Sequence, residues 1–338
     1  MRRTNVFSWL LLMVMSLILV FPSVTAFAKS TVYEISIHNE VEKGLLQHLK
    51  RGFDEAKQQN AEAIILNMHT PGGFVDAATN IGKLIDETEI PVIAFINSNA
   101  ISAGAYIALH ADQIYMTPGA TMGAAAVIDA SGNTAGEKAE SAWLAQMTAA
   151  AENSGPNPEG RNPKFAQSMV IDTIDLSEYR APVGKLLTLT AEDALEVGYS
   201  EGTVASLSEL LQVLELENSE VVSVEQTFAE KLARFITNPI IVPILLSIAS
   251  IGLVVELYSP GFGVPGTMGL ASLGMFFFGH MVAGFAGYET LIVFVIGLVL
   301  VIAELVVPGG IIGIIGGALI IGSLLFAGES FVHMAYSI

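Results

Sequence analysis

The sequence predicts an α/β domain built from parallel strand and helix units, followed by an all-α polytopic transmembrane domain. Three observations carry that expectation. Apolar β-rich runs alternate with helical patterns from Thr31 onward. Four apolar stretches follow one another after Phe235, and from there to Ile338 there is no Lys or Arg. Of the 338 residues, 52% are hydrophobic and only 14% charged, an oilier balance than an average soluble protein has.

The chain divides into five expected segments. Residues 1–28 read as a signal peptide: Arg2 and Arg3, an apolar core from Phe7 to Phe21, and Ala26-Phe27-Ala28 as a small-residue cleavage site. An uncleaved anchor helix is the alternative, and both send the following domain out of the cytoplasm. Residues 29–205 form the α/β domain, 206–235 a linker of one helix and one strand, 236–327 the membrane region and 328–338 a tail.

Within the α/β domain "VYEISI" reads as a strand, and the next segment sets Leu45, Leu46, Leu49 and Phe53 on one helical face. "AEAIILNMHTPGG" is a buried strand running into a Pro-Gly-Gly turn, and "FVDAATNIGKLIDET" the helix after it. "PVIAFIN" is a strand that breaks at a serine and continues as a helix; "DQIYMTPGATMGAA" is a strand with a glycine turn. An amphipathic helix follows from about Lys138 to Glu152, carrying Trp143, Leu144 and Met147 with the aromatic expected exposed, and then another from Lys164 to Ile171. Thr190, with Asp193 three positions on, reads as a capped helix start.

The amphipathic "FAEKLARFI" leads into four expected spans: Ile236 to Leu257, Met268 to Phe285, Leu291 to Val307 and Ile311 to Phe326. An internal echo links them, because "VVELYSPGFGVPG" around Glu256 and "IAELVVPGGIIGIIG" around Glu304 share Glu-Leu-x-x-Pro-Gly followed by glycines. Carboxylates at membrane depth are costly enough to suggest function, whereas carboxylates at span ends sit at the interface beside half-broken helices. Lys231 and Arg234 before the first span favour a cytoplasmic side under the positive-inside bias; the signal sequence outweighs them, since large domains translocate largely regardless of two charges.

Composition also excludes. A formal net charge of −18 leaves no basic surface for nucleic acid. With no cysteine there is neither a disulfide framework nor a zinc–thiolate site, and no cofactor is expected.

The chemistry centres on "NSNAISAGAYIALHADQIYMTPGATMGAA", where Ser102 sits between small residues just ahead of a helix. A serine hydroxyl attacks a carbonyl when a base takes its proton and donors hold the resulting oxyanion. Gly72 and Gly73 of "HTPGG" offer backbone N–H groups at a strand end, and the N–H of Ala103 offers another. Ala100, Ala103, Gly104 and Ala105 are expected to let a substrate backbone approach. Of the six histidines, His110 lies at the far end of the serine's own helix, more than ten ångströms away at ~1.5 Å rise per residue. His69 adjoins the glycine turn and reads best as a strand-end residue; His280 and His333 belong to the membrane half or the tail. A neutral lysine can replace histidine as base. The candidates downstream of Ser102 and before the membrane are Lys138, Lys164, Lys185 and Lys231, and Lys138, at the start of its helix, is placed best of the four. A solvated surface lysine remains the alternative.

Together, "ILNMHTPGGFVDAA", "AISAGAYIALHADQIYMTPGATMGAA", "EKAESAWLAQMTAAAENSG" and "ELYSPGFGVPGTMG" resemble the long-form NfeD family of membrane serine proteases, from about Val32 to the fourth span. The resemblance implies a ClpP-like, crotonase-type fold of repeated ββα units and a Ser-Lys dyad. Ser102 matches the family nucleophile, Lys138 the family base, and Gly72 and Gly73 the oxyanion glycines. It further implies partnership with stomatin or flotillin-like (SPFH) membrane proteins, some of which are cleaved in an apolar segment. By analogy with assembling Clp-like folds, a homo-oligomer is expected, with the helix from Lys138 to Glu152 as an interface. One departure stands out: long-form relatives usually continue into a soluble OB-fold domain, and this sequence stops at "FAGESFVHMAYSI" without one, so binding that depends on that barrel is not carried over.

Three readings emerge. The first is a membrane-anchored serine endopeptidase. The second is a non-catalytic scaffold that partners SPFH proteins in membrane organisation. The third, a crotonase-type acyl-CoA enzyme, is disfavoured by export and by serine and lysine where acidic residues would be needed.

Overall fold

A computed structural model describes residues 30–128, 132–155, 160–238, 240–258, 263–306 and 309–327. The expected signal segment with its cleavage site and the tail lie outside the described residues. The order of elements is β1 (Thr31–His38), α1 (Lys43–Gln58), β2 (Ala63–Thr70), α2 (Val75–Asp86), β3 (Val92–Ile101), α3 (Ala103–His110), β4 (Gln113–Met116) and β5 (Thr121–Gly123). Then come α4 (Glu137–Glu152), α5 (Pro163–Val170), β6 (Thr188–Thr190), α6 (Ala191–Glu196), β7 (Gly202–Thr203), α7 (Leu207–Val213) and β8 (Glu220–Val224). Helix α8 (Phe228–Ile236) leads to α9 (Ile241–Leu257), α10 (Val264–Val282), α11 (Tyr288–Val306) and α12 (Ile311–Ala327).

The strands form one eight-stranded sheet in the order β6-β5-β3-β2-β1-β8, with β4 beside β3 and β7 beside β4. Every pairing is parallel except β5 with β6. Parallel strands need crossovers that cover both faces, so their residues read as continuous apolar runs. One face buries Ile35, Leu66, Ile96 and Met116 against α1, α2 and α3. The other buries Val32, Ile65, Phe95 and Tyr115 under Leu210 and Leu211 of α7.

Strand β3 governs the position of Ser102, because it changes neighbour along its length. Residues Ile93 to Ile96 pair with β4 and Asn99 to Ile101 with β5, so "DQIYMTPGATMGAA", expected as a strand and a glycine turn, holds two short strands laid end to end beside β3. The segment expected as a linker is part of this sheet: β8 pairs with β1 from Thr31↔Glu220 to Ile35↔Val224. The Thr190 and Asp193 side chains form the capping box expected at the start of α6, and Thr227 with Glu230 repeats it at α8.

Helices α9 to α12 pack as two hairpins, α9 on α10 and α11 on α12. Among the described residues no single helix is long and apolar enough to cross a membrane; α8 and α9 form a pair bent by 77° that passes that test together. The helix starts differ from the expected span starts for local reasons. Ile236 ends α8, and the Asn-Pro pair at 238–239 resists helix continuation, so α9 begins at Ile241. Pro265 sits in the first turn of α10, where its missing N–H costs nothing.

The sequence echo has a structural cause. Glu256 of α9 accepts from Gly263 and Gly266 at the start of α10 (2.7 Å to Gly266 N). Glu304 of α11 accepts from Gly309, Gly310 and Gly313 at the start of α12 (2.7 Å to Gly309 N, 2.9 Å to Gly313 N). In each hairpin a carboxylate thus closes the orphan N–H groups of the following helix. Glycine is needed because a Cβ on Gly266 or Gly313 would lie 2.7 or 2.9 Å from the Cγ of its glutamate.

Candidate active site

The site begins with a turn that the end of β2 cannot avoid. Thr70 is buried, and its Oγ1 donates to the Asn39 carbonyl (2.6 Å) while accepting from Gly72 N (3.1 Å). Gly72 has φ of +104°, a left-handed value that favours glycine, and a Cβ there would sit 2.5 Å from Ser102 Cβ. Val41 N donates to Gly72 O and Phe74 N to Val41 O, both at 2.8 Å, so Val41 and Gly73 form a parallel bridge. A Cβ on Gly73 would meet the Val41 carbonyl oxygen at 2.1 Å. Both glycines are therefore dictated by close approach, one to the serine and the other to the neighbouring loop.

These bonds sort the expected oxyanion donors. The Gly72 N–H is engaged by Thr70, whereas the Gly73 N–H has no acceptor among the described hydrogen bonds. Ala103 is the first residue of α3, where a backbone N–H lies outside the intrahelical ladder.

Ser102 stands at the strand-to-helix corner with φ 56° and ψ −122°. A non-glycine residue with this backbone carries about 1–3 kcal/mol of strain, which persists only where the surroundings over-determine it. Its N–H donates to the Gly123 carbonyl (2.8 Å), its carbonyl accepts from Ala105 N (2.9 Å), and its side chain makes no capping bond to α3. The half-buried hydroxyl is thus presented by a strained corner rather than spent on the helix. The small residues around it do not open the site as expected. Ala100, Ala103, Gly104 and Ala105 are buried, and a Cβ on Gly104 would fall 2.6 Å from Thr70 Cγ2, so their size lets α3 close on the end of β2.

The base candidates fall in different places. His110 Nδ1 bonds Asp86 Oδ1 at 2.7 Å, at the far end of α3 as expected. His69 lies edge-on to His38 at 6.1 Å, across the ends of β1 and β2. Lys138 is exposed in the first turn of α4, and among the described residues no contact joins it to Ser102. Its helix is nevertheless fixed to the serine's helix. Trp143 stacks on Tyr106 of α3 at 4.8 Å and donates from Nε1 to the Ala125 carbonyl at 2.8 Å, while Thr79 of α2 donates to Gln146 at 3.0 Å. Trp143 is 3% exposed, which corrects the expectation of an exposed aromatic and removes it as an assembly surface. Burial, and then Asp86, push the Tyr106 phenol up to about 12.

Three contributors to the site had no sequence signal: Val41, Thr70 and the pair Glu42 and Arg234. Glu42 caps α1 through Gly44 N (2.5 Å) and Leu45 N (2.9 Å) and pairs with Arg234 Nε at 2.9 Å. Burial pushes its carboxyl up, against the pull of Arg234 and the two amides. Beside this pair lies a cavity of about 470 Å³, with Phe74, Phe235, Phe285, Lys43, Lys231 and Arg234 in its lining.

Residues 31–224 match the family of the NfeD1b N-terminal domain, and residues 240–338 that of the NfeD integral membrane domain. The chain belongs to the NfeD family. Membrane protein NfeD1b of Bacillus subtilis is 52% identical over 310 residues, covering 92% of this chain and 70% of that protein. Membrane-bound protease PH1510 of Pyrococcus horikoshii is 31% identical over 343 residues, covering 90% of this chain and 72% of its own. Among solved structures, a lysine-to-alanine mutant of the 1510-N membrane-bound stomatin-specific protease in complex with a substrate peptide is similar at TM-score 0.53 and 30% identity, covering 62% of this chain and 99% of that one. The 1510-N protease specific for a stomatin homolog from Pyrococcus horikoshii gives TM-score 0.50 at 30% identity, covering 62% and 100%. The NfeD protein described here therefore joins an α/β sheet domain with the fold of a protease to a helical region of the integral membrane family.

Proposed function

We propose that this NfeD protein is a membrane-anchored serine endopeptidase with a Ser102/Lys138 dyad. It cleaves apolar segments of stomatin or flotillin-like proteins on the extracytoplasmic side. The observation that carries the reading is the strained corner at Ser102, laid against a glycine turn whose Gly73 N–H has no acceptor among the described bonds. The likeness to a membrane-bound protease supports it, as does the aromatic lining of the cavity beside the turn. Ser102 Oγ attacks the scissile carbonyl carbon as its proton passes to the Lys138 amine. Gly73 and Ala103 N–H groups, with Gly72 shaping the turn, hold the oxyanion. As the C–N bond breaks, the lysine returns the proton to the leaving amine, and a water activated in the same way releases the acyl group. The anchor is four spans in two hairpins, with the leader removed after Ala28.

The full chain in detergent micelles is expected to cleave an apolar peptide, and Ser102→Ala and Lys138→Ala each to abolish that cleavage; activity surviving in either variant rejects the dyad. The exposed position of Lys138 favours a second reading, a scaffold that binds the same partners without turnover. Binding of the peptide by the wild-type chain with no hydrolysis would establish it.

A further inference from the structure

The glycine turn is held from one side by a short loop, residues 39–42, and that loop is held in turn by the helix that enters the membrane region. Asn39 O accepts from Thr70 Oγ1, and Val41 makes both bonds of the bridge to Gly72 and Phe74. On the loop's other side, Arg234 of α8 pairs with Glu42 (2.9 Å) and donates through Nη2 to the Glu40 carbonyl (3.2 Å). The side chains of Glu42 and Arg234 are only 14% and 17% exposed, so losing one leaves the other's charge poorly compensated. Helix α8 does not float. Its buried Ile236 touches Gly279 of α10 so closely that a Cβ there would lie 2.5 Å from Ile236 Cγ2, and Lys43 of α1 lies over the Phe285 ring at 5.1 Å. A continuous set of contacts thus runs from α10 through Ile236 and Arg234 to Glu42, Val41 and Gly73.

We propose that Arg234 and Glu42 are positioning residues for the reaction: Arg234 of α8 sets the loop 39–42, and the loop sets the N–H of Gly73 against Ser102. The inference rests on the protease reading for its kinetic consequence, though not for its structural one. Arg234 acts through Glu42 and Val41 and touches no reacting atom. A turn fixed this way presents the Gly73 N–H to the oxyanion only while Arg234 holds the loop.

The test uses the full chain in lipid nanodiscs, the variants Arg234→Gln and Arg234→Lys, and Arg51→Gln as control. Arg51 ties α8 to α1 through Glu230 (2.9 Å) without touching the loop. Two readouts are taken: kcat and KM on an apolar peptide, and amide hydrogen exchange of Val41 and Phe74. With Arg234→Gln we expect at least tenfold lower kcat, KM within threefold of wild type, and at least tenfold faster exchange of both amides. Arg234→Lys, which keeps the charge at Glu42 and loses the Glu40 bond, should recover part of both. Arg51→Gln should leave both near wild type. Unchanged exchange at Val41 and Phe74 in Arg234→Gln overturns the coupling, as does equal loosening in Arg51→Gln. A wild-type chain that cleaves nothing sinks the protease reading alone, because the exchange readout still decides the coupling.

Discussion

The two halves of the proposed dyad are built in opposite ways. Around Ser102 the backbone does the work: a strained corner, a φ of +104° at Gly72, and bonds from Val41, Thr70 and Gly123 leave the serine little freedom. Around Lys138 the side chain is exposed in a first helical turn, and order enters from further along α4 through Trp143 and Gln146. The proposed nucleophile is placed by short-range backbone geometry and the proposed base by the docking of a whole helix. Changes in one half should accordingly be local and sharp, and changes in the other should act at a distance.

Three variants probe that contrast. Trp143→Ala removes a buried aromatic and its bond to Ala125, and should cost about 3–5 kcal/mol, read as a lowered unfolding midpoint of the full chain in micelles. If α4 is what holds Lys138, cleavage falls as well, while a retained midpoint would mean the helix is fixed some other way. Gly73→Ala places a methyl against the Val41 carbonyl and should open the bridge, at about 1–3 kcal/mol for the two bonds it breaks. Hydrogen exchange of Phe74 then rises while that of the α4 amides stays as it was; loss of protection in α4 too would erase the distinction between the halves. Ser102→Gly is the smallest and runs the other way. Relief of backbone strain, partly offset by the entropy of a new glycine, should stabilise the chain by up to about 1 kcal/mol while cleavage disappears. A destabilised variant would show that the corner is not strained.

What the sequence reveals of this molecule follows from the range of each interaction. Strands β1 to β3 and helices α1 and α2 were legible because parallel strands buried on both faces leave unbroken apolar runs, and because Leu45, Leu49 and Phe53 recur at helical spacing. The Thr190 capping box was legible since its two residues are three apart. Ser102 could be placed at a corner, but its backbone strain could not, because it arises where β5 and the glycine turn converge. The burial of Trp143 depends on Tyr106 of another helix, and the pairing of Glu42 with Arg234 joins residues far apart in the sequence; no local pattern announces either. The glutamate echo was visible as a repeat, yet its purpose needed the helix that follows each copy.

Those two glutamates carry a consequence for how the apolar half reaches its place. Beyond Phe235 the chain offers no ammonium or guanidinium to balance them, and peptide N–H groups of the next helix stand in for a counter-ion. The same lack of basic residues strips both hairpins of the charge bias that usually sets which loops stay inside. Arg234, at the threshold, is already committed to Glu42. In the proposed topology neither hairpin supplies an orientation signal of its own between Phe235 and Ile338.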